Sequence, residues 1–109
     1  MSERVKRRKY YYKKRIMREI KEAKQRAREG QTILVRARPV DFWCSDAGYH
    51  FDGMIWLYPD GSSEVLGTGY HCSWAKGVKY DTWVEAIEWL ADWCAERDYK
   101  WGITAEAID

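Results

Sequence analysis

Positive and negative charges are segregated along this 109-residue chain. Residues 1–38 carry 15 Lys and Arg against four acids, a net charge of +11, whereas residues 39–109 carry four Lys and Arg against 13 acids, a net charge of −9. Such asymmetry indicates either a basic segment that binds polyanions or docking between oppositely charged surfaces. The chain is long enough for one modest hydrophobic core and too short for two, so a single compact domain is expected over residues 12–109.

The basic part predicts a helix over residues 12–29, ended by Gly30 as a C-cap glycine. Its apolar residues recur at spacings of four, four, three and four, which places them on one helix face: Tyr12, Ile16, Ile20, Ala23 and Ala27. Residues 1–11 have only Val5 as an apolar anchor before the tyrosines. They are therefore expected to form a flexible basic arm.

Three strands are predicted within residues 32–72. Residues 32–38 alternate apolar and polar side chains and end at Pro39, as a strand does. A hairpin is predicted to turn at Pro59, Asp60 and Gly61, where proline favours a type I turn and glycine allows a positive φ. In the second strand of this hairpin, Gly67 and Gly69 would leave room for a large ring or a helix.

A second helix is predicted over residues 81–97, with Asp81 or Thr82 as its N-cap. One face is apolar and carries Trp83, Ala86, Ile87, Leu90, Trp93 and Cys94. The opposite face is acidic and carries Glu85, Glu88, Asp92 and Glu96. This helix is expected to cover the sheet with its tryptophan face.

The predicted fold class is α+β in the order α-β-β-β-α, with a three-stranded antiparallel sheet and both helices packed on one face. This order is similar to that of double-stranded-RNA-binding domains. Those domains carry lysines at the start of the final helix, where this chain has Asp81, Glu85 and Glu88. Their RNA-binding residues are therefore not transferred to this chain.

The basic segment is the candidate nucleic-acid-binding site. Cations can pair with phosphates, and exposed tyrosines offer faces on which bases stack. The candidate residues are Arg4, Lys6, Arg7, Arg8, Lys9, Tyr10, Tyr11, Lys13, Lys14, Arg15 and Arg18. Two alternatives stay open: a solvated helix face, and a basic helix that docks on the acidic helix within the chain or across a homodimer.

Protein binding is assigned to the acidic stripe of Glu85, Glu88, Asp92 and Glu96 and to Phe42 and Trp43 in the loop before the hairpin. Surface aromatic residues often dominate the energy of protein contacts. Exposure on a strand face or in a loop is plausible for four tryptophans: Trp43, Trp56, Trp74 and Trp101. A loop that folds over the open end of the sheet explains the aromatic loop equally well.

No catalytic, metal or cofactor site is predicted. The cysteines and histidines, namely Cys44, His50, His71, Cys72 and Cys94, lack the short spacing of zinc ligands, and no motif frames a nucleophile. The odd number of cysteines favours free thiols and a cytoplasmic protein. The longest apolar run covers residues 54–58, which is too short to span a membrane.

A basic, tyrosine-containing arm, RVKRRKYYYKKR, precedes a compact acidic and tryptophan-rich domain. This architecture resembles the small inhibitors that phages and mobile elements encode against host defences, anti-CRISPR proteins among them. The resemblance implies a non-enzymatic inhibitor that engages a CRISPR nuclease or another nucleoprotein through its basic arm and its acidic helix. The alternatives are an accessory protein that binds bare DNA or RNA, and a protein-binding module or dimer that neutralises its own charge.

Overall fold

The computed structural model describes residues 2–40, 52–68, 77–97 and 99–109. These ranges contain two helices and five strands. The elements are α1 (Glu3–Arg26), β1 (Thr32–Pro39), β2 (Gly53–Leu57), β3 (Ser63–Gly67), β4 (Val78–Tyr80), α2 (Trp83–Glu96) and β5 (Trp101–Ile108). The fold is therefore α+β, as the sequence predicts.

The strands form one antiparallel sheet in the order β4-β3-β2-β1-β5. Val35 pairs with Ile55 of β2 on one side and with Ala105 of β5 on the other, and Ile55 pairs in turn with Val65. Alternate strand residues therefore face the same side. That side is covered by α1, which contacts β1 and β5, and by α2, which contacts β2 and β3.

The predicted number of strands is wrong, because the described residues contain five strands rather than three. The missed β5 pairs with β1 along all eight of its residues, and the missed β4 pairs with β3 at the other edge. Trp101 and Ile103 of β5 are 3% and 5% exposed. Contact with α1 and pairing with β1, both far away in sequence, stabilise a strand whose local preference is too weak to predict.

The predicted hairpin is confirmed between β2 and β3. The Gly61 amide donates to the Tyr58 carbonyl at 3.1 Å, which closes the turn around Pro59 and Asp60. Gly61 has a φ of 96°, the left-handed conformation that glycine adopts without steric cost. The Asp60 carboxylate accepts a hydrogen bond from the Ser62 amide at 2.9 Å, which further fixes the turn.

The acidic helix is confirmed with slightly tighter limits, since α2 begins after Thr82 as its N-cap. The Thr82 hydroxyl accepts a hydrogen bond from the Glu85 amide at 3.3 Å. The predicted apolar face is buried, although Trp83 is only half-buried and donates its Nε1–H to the Tyr58 carbonyl at 2.8 Å. No helix in the described ranges is long and apolar enough to cross a membrane.

The basic helix differs from the prediction at both ends. It ends at Arg26, and Gly30 lies in the following turn with a φ of 86° rather than at the helix C-cap. It begins at Glu3, so residues 3–11 are helical where a flexible arm was expected. The Ser2 hydroxyl accepts from the Val5 amide at 3.2 Å, and Glu3 lies favourably near the helix N-terminus.

Two strand glycines let α2 approach the sheet backbone closely. A methyl group on Gly53 would lie 2.6 Å from Trp93 Cε3, and one on Gly67 would lie 2.8 Å from Trp93 Nε1. The sequence predicts the space at Gly67 but not the tighter contact at Gly53, and Gly69 lies outside the described residues. The indole of Trp93 therefore packs so close to the sheet that any residue larger than glycine at position 53 or 67 would collide with it.

Candidate nucleic-acid interface

Lysines and arginines occupy different sides of α1. At 100° per residue, the six lysines fall within an arc of about 140° and the six arginines within a separate arc of about 100°. The first set, here called the lysine face, consists of Lys6, Lys9, Lys13, Lys14, Lys21 and Lys24. The second set, the arginine face, consists of Arg4, Arg7, Arg8, Arg15, Arg18 and Arg26. The two faces meet on the outer side of the helix, opposite the buried residues.

The lysine face lies beside α2 and is partly neutralised by it. Lys9 Nζ lies 2.9 Å from Glu88 Oε2 and 3.0 Å from Asp92 Oδ1, and Lys13 also pairs with Glu88. These contacts raise the pKa of Lys9 through its hydrogen bonds to both acids. They lower the pKa of Glu88, with Lys13 as the larger cause and Lys9 as the smaller. Docking of the basic helix on the acidic helix thus occurs within the chain.

Three of the remaining lysines make weaker contacts. Lys6 lies 3.7 Å from Glu3 within the first turns, and Lys24 lies over the ring of Trp83 at 5.3 Å. Lys14 lies over the Tyr10 ring at 5.1 Å. Because Lys9 and Lys13 meet acids near one end of α2 while Lys24 meets Trp83 near the other, the two helices run antiparallel.

The arginine face lies on the side of α1 that turns away from α2. Four of its members, Arg4, Arg7, Arg18 and Arg26, are exposed, whereas Arg8 and Arg15 are partly buried. From Arg4 to Arg26 the face extends about 33 Å along the helix axis. Arginine remains charged at any physiological pH and offers a planar fork that matches two phosphate oxygens. This face therefore provides a long surface suited to phosphate binding.

The two predicted stacking residues are placed on different faces. Tyr10 is 65% exposed and lies beside the lysine face, whereas Tyr11 is 53% exposed and lies within the arginine face. Arg15 lies over the Tyr11 ring at 6.0 Å and donates a hydrogen bond to its hydroxyl at 3.2 Å. A cation four residues later therefore lies over each ring, and the exposed part of each ring is available to a base.

Tyr12 fixes the rotation of α1 about its axis, because its side chain is 6% exposed and is hydrogen-bonded to the start of the last strand. Its hydroxyl accepts a hydrogen bond from the Trp101 amide at 3.2 Å and donates one to the Tyr99 carbonyl at 3.5 Å. Trp101 is itself buried, so the expectation of an exposed ring there is wrong. Its Nε1–H donates to the Cys94 carbonyl at 2.9 Å and so links β5 to α2.

The four acids predicted to bind protein are not equivalent. Glu88 and Asp92 pair with lysines of α1, while Glu85 accepts a hydrogen bond from the Thr82 hydroxyl at 2.9 Å. Glu96 is exposed at the end of α2. The aromatic candidates Phe42 and Trp43 lie outside the described residues.

The described part of the chain contains no group of three or more His, Cys, Asp or Glu side chains that could hold a metal ion. Cys94 is a free, fully buried thiol, and burial raises its pKa to about 12. A thiol of that pKa is protonated at neutral pH and is a poor nucleophile. Cys44, His50, His71 and Cys72 lie outside the described residues.

Three cations of the site are absent from the predicted set: Lys21, Lys24 and Arg26. Lys21 follows Lys14 by seven residues, and Lys24 and Arg26 follow Lys13 and Arg15 by eleven, so helical spacing alone is sufficient to find all three. The prediction weighted the density of charge before residue 19 rather than its position around the helix. Comparisons with protein-family models, with curated proteins and with solved structures find no match to this chain.

Proposed function

We propose that this protein is a non-enzymatic nucleic-acid-binding protein of the cytoplasm, and that the arginine face of α1 contacts the phosphate backbone. The observation that carries the proposal is the division of the cations. The acids of α2 neutralise part of the lysine face, while the arginine face projects on the other side of the helix. Free Cys94 fits a reducing compartment.

The dimensions of the arginine face suit a nucleic-acid backbone. The face is about 33 Å long, whereas the major groove of B-DNA is about 12 Å wide and admits one helix. A helix of this length therefore reaches phosphates on both strands. Its contacts are to the backbone, which favours binding with little dependence on sequence.

The charge of α2 determines the direction of approach. Glu85 and Glu96 are exposed on α2, and Glu88 and Asp92 are about one-third exposed. Phosphates that approached over α2 would be repelled, whereas phosphates that approached over the arginine face would meet six arginines and one acid, Glu22. The acidic helix thus directs the polyanion to the far side of α1. Tyr11 adds a stacking surface there for unpaired bases.

The test is a triple variant, Arg4→Ala, Arg7→Ala and Arg18→Ala, measured by fluorescence anisotropy with labelled duplex and single-stranded DNA and RNA. All three side chains are exposed, and alanine is the best helix former, so the thermal midpoint should be nearly unchanged. The slope of log affinity against log salt for duplex DNA should flatten by up to about 2.7, at about 0.9 for each phosphate that the variant no longer neutralises. Tyr11→Ala should weaken single-strand binding more than duplex binding.

The matched control removes the same charge from the lysine face of the same helix, as Lys6→Ala, Lys14→Ala and Lys21→Ala. If the arginine face carries the contact, the control should retain most of the affinity and most of the salt slope. Equal losses in the two variants would show that diffuse charge, rather than this face, accounts for binding. Full binding by the arginine variant would exclude the proposal.

Inhibition of a nucleoprotein is the second candidate, in line with the anti-CRISPR-like architecture of the sequence. The exposed carboxylates of Glu85 and Glu96 favour it, because they could occupy protein cations that otherwise hold phosphate while the arginine face contacts guide or target strands. Pairing of Glu88 and Asp92 within the chain halves the acidic set available for this role. A cleavage assay with a guide-loaded CRISPR nuclease tests it, since inhibition should be lost in both Glu96→Lys and the arginine variant.

A further inference from the structure

We propose that a second copy of this chain docks on the lysine face of α1, the acidic stripe of α2 and the groove between them, to form a symmetric dimer. This inference does not rest on the proposed function. It uses the side of α1 that faces α2, whereas the proposed nucleic-acid contact uses the arginine face. The acidic stripe consists of Glu85, Glu88, Asp92 and Glu96.

The groove between the helices is apolar at its centre. Two adjoining depressions of about 390 and 540 Å³ share Met17, which is 49% exposed. Tyr10 lines the first depression and Val84 the second, and each is 65% exposed. Large exposed apolar side chains aligned along a groove are typical of an interaction surface. The ionic residues that line either depression are lysines, and no described acid is among them.

Charge complementarity favours a second copy as the occupant. Lys9 meets Glu88 and Asp92 within the chain, so the lysines of α1 and the acids of α2 lie at the same level along the groove. Rotation about a two-fold axis parallel to the groove leaves the position of each residue along the groove unchanged. It therefore places the lysine face of each copy against the acidic stripe of the other, with Met17 and Val84 at the centre.

The available area is that of a small interface. The 24 residues of α1 extend about 36 Å and the 14 residues of α2 about 21 Å, and each helix presents a strip about 10 Å wide. The two strips together cover about 570 Å², against about 800 Å² per partner in a standard interface. Because much of this surface is charged, the association should be reversible and should weaken as salt screens the ion pairs.

The experiment is sedimentation equilibrium of the full chain over a range of concentration at low and high salt. The expected result is a mass that rises toward twice the 13.0 kDa of the chain, with weaker association at high salt. Val84→Asp should weaken association by at least about tenfold, because the apolar contact of Val84 is lost and a carboxylate must give up its hydration at the centre of the interface. An acidic residue in the first turn of α2 suits the helix dipole, so the variant should fold.

Two matched controls make the result specific. Val40 is 54% exposed at the end of β1 and lies beside Gly102 of β5, away from the groove and the acidic stripe, so Val40→Asp makes the same chemical change and should leave association intact. Glu96→Lys should weaken association, whereas Glu106→Lys, an exposed site on β5, should not. A chain that stays monomeric at every concentration would overturn the inference. A dimer that Val84→Asp leaves intact would also overturn it. So would a control variant that weakens association as much as the groove variant with which it is paired.

The outcomes separate this inference from the proposed function. Val84→Asp should leave nucleic-acid binding by the arginine face measurable, and the Arg4, Arg7 and Arg18 variant should leave the dimer intact. A dimer without nucleic-acid binding would retain this inference and reject the proposed function. Nucleic-acid binding by a strict monomer would do the reverse.

Discussion

Replacement of Gly53 by alanine tests whether close packing of Trp93 on β2 positions α2. The added methyl group would lie 2.6 Å from Trp93 Cε3 and 2.8 Å from Leu90 Cδ1, well inside van der Waals contact. Trp93 is 6% exposed and Leu90 is fully buried, and Gly53 is held between β1 and β3 by pairing on both sides. Neither the rings nor the strand can move away without weakening other packing.

The expected loss of stability is the cost of overpacking minus the stabilisation that alanine provides by lowering the entropy of the unfolded chain. Overpacking of a core costs about 1–3 kcal/mol, while Gly→Ala returns about 0.4–1 kcal/mol, so a net loss of about 1–2 kcal/mol is expected. An unfolding entropy of roughly 2.1 cal/mol/K per residue over 109 residues gives about 0.23 kcal/mol per kelvin. The thermal midpoint should therefore fall by about 4–9 °C.

The assay is thermal unfolding followed by circular dichroism, with Gly102→Ala as the matched control. A methyl group on Gly102 would lie 2.8 Å from Val40 Cγ1, but Val40 is 54% exposed and its side chain can rotate into solvent. The control should therefore change the midpoint little or raise it. A Gly53 variant no less stable than the Gly102 variant would refute the argument that Trp93 fills the space above β2.

Two further predictions concern the contacts that hold α1. Tyr12→Phe should lower the free energy of unfolding by about 1–3 kcal/mol, because it leaves the buried Trp101 amide without its hydrogen-bond acceptor. Tyr11→Phe, at an exposed site, should change it little. Urea denaturation measures both. Glu88 has a pKa below its ordinary value of 4.5, so its pairing stabilises the fold above that pH and is lost as the pH falls through the folded pKa. Glu88→Gln should accordingly reduce the fall of the thermal midpoint between neutral and acidic pH, and an unchanged pH profile would contradict this.

The candidate site was predicted from sequence as a set of residues but not as an arrangement. Periodicity identifies the cations of α1 and the acids of α2, because each depends only on spacing within one helix. Which cations meet acids depends on the rotation of α1, and that rotation is fixed by Tyr12 against Trp101 and by Lys9 against Glu88. Those contacts join residues more than 70 positions apart, so no local pattern contains them.

The sequence by itself determines the hairpin at Gly61, the limits of α2 and the opposite charges of the two parts of the chain. Each follows from turn chemistry, helical periodicity or composition within a short window. The tertiary structure alone decides that Trp101 lies in a fifth strand and which cations of α1 meet acids. The segment of Trp101 has a weak local preference and is ordered by pairing with β1 and by contact with α1, whereas Lys9 meets Glu88 because α1 packs beside α2. Burial and ion pairing across the fold therefore determine the structure wherever local propensity does not.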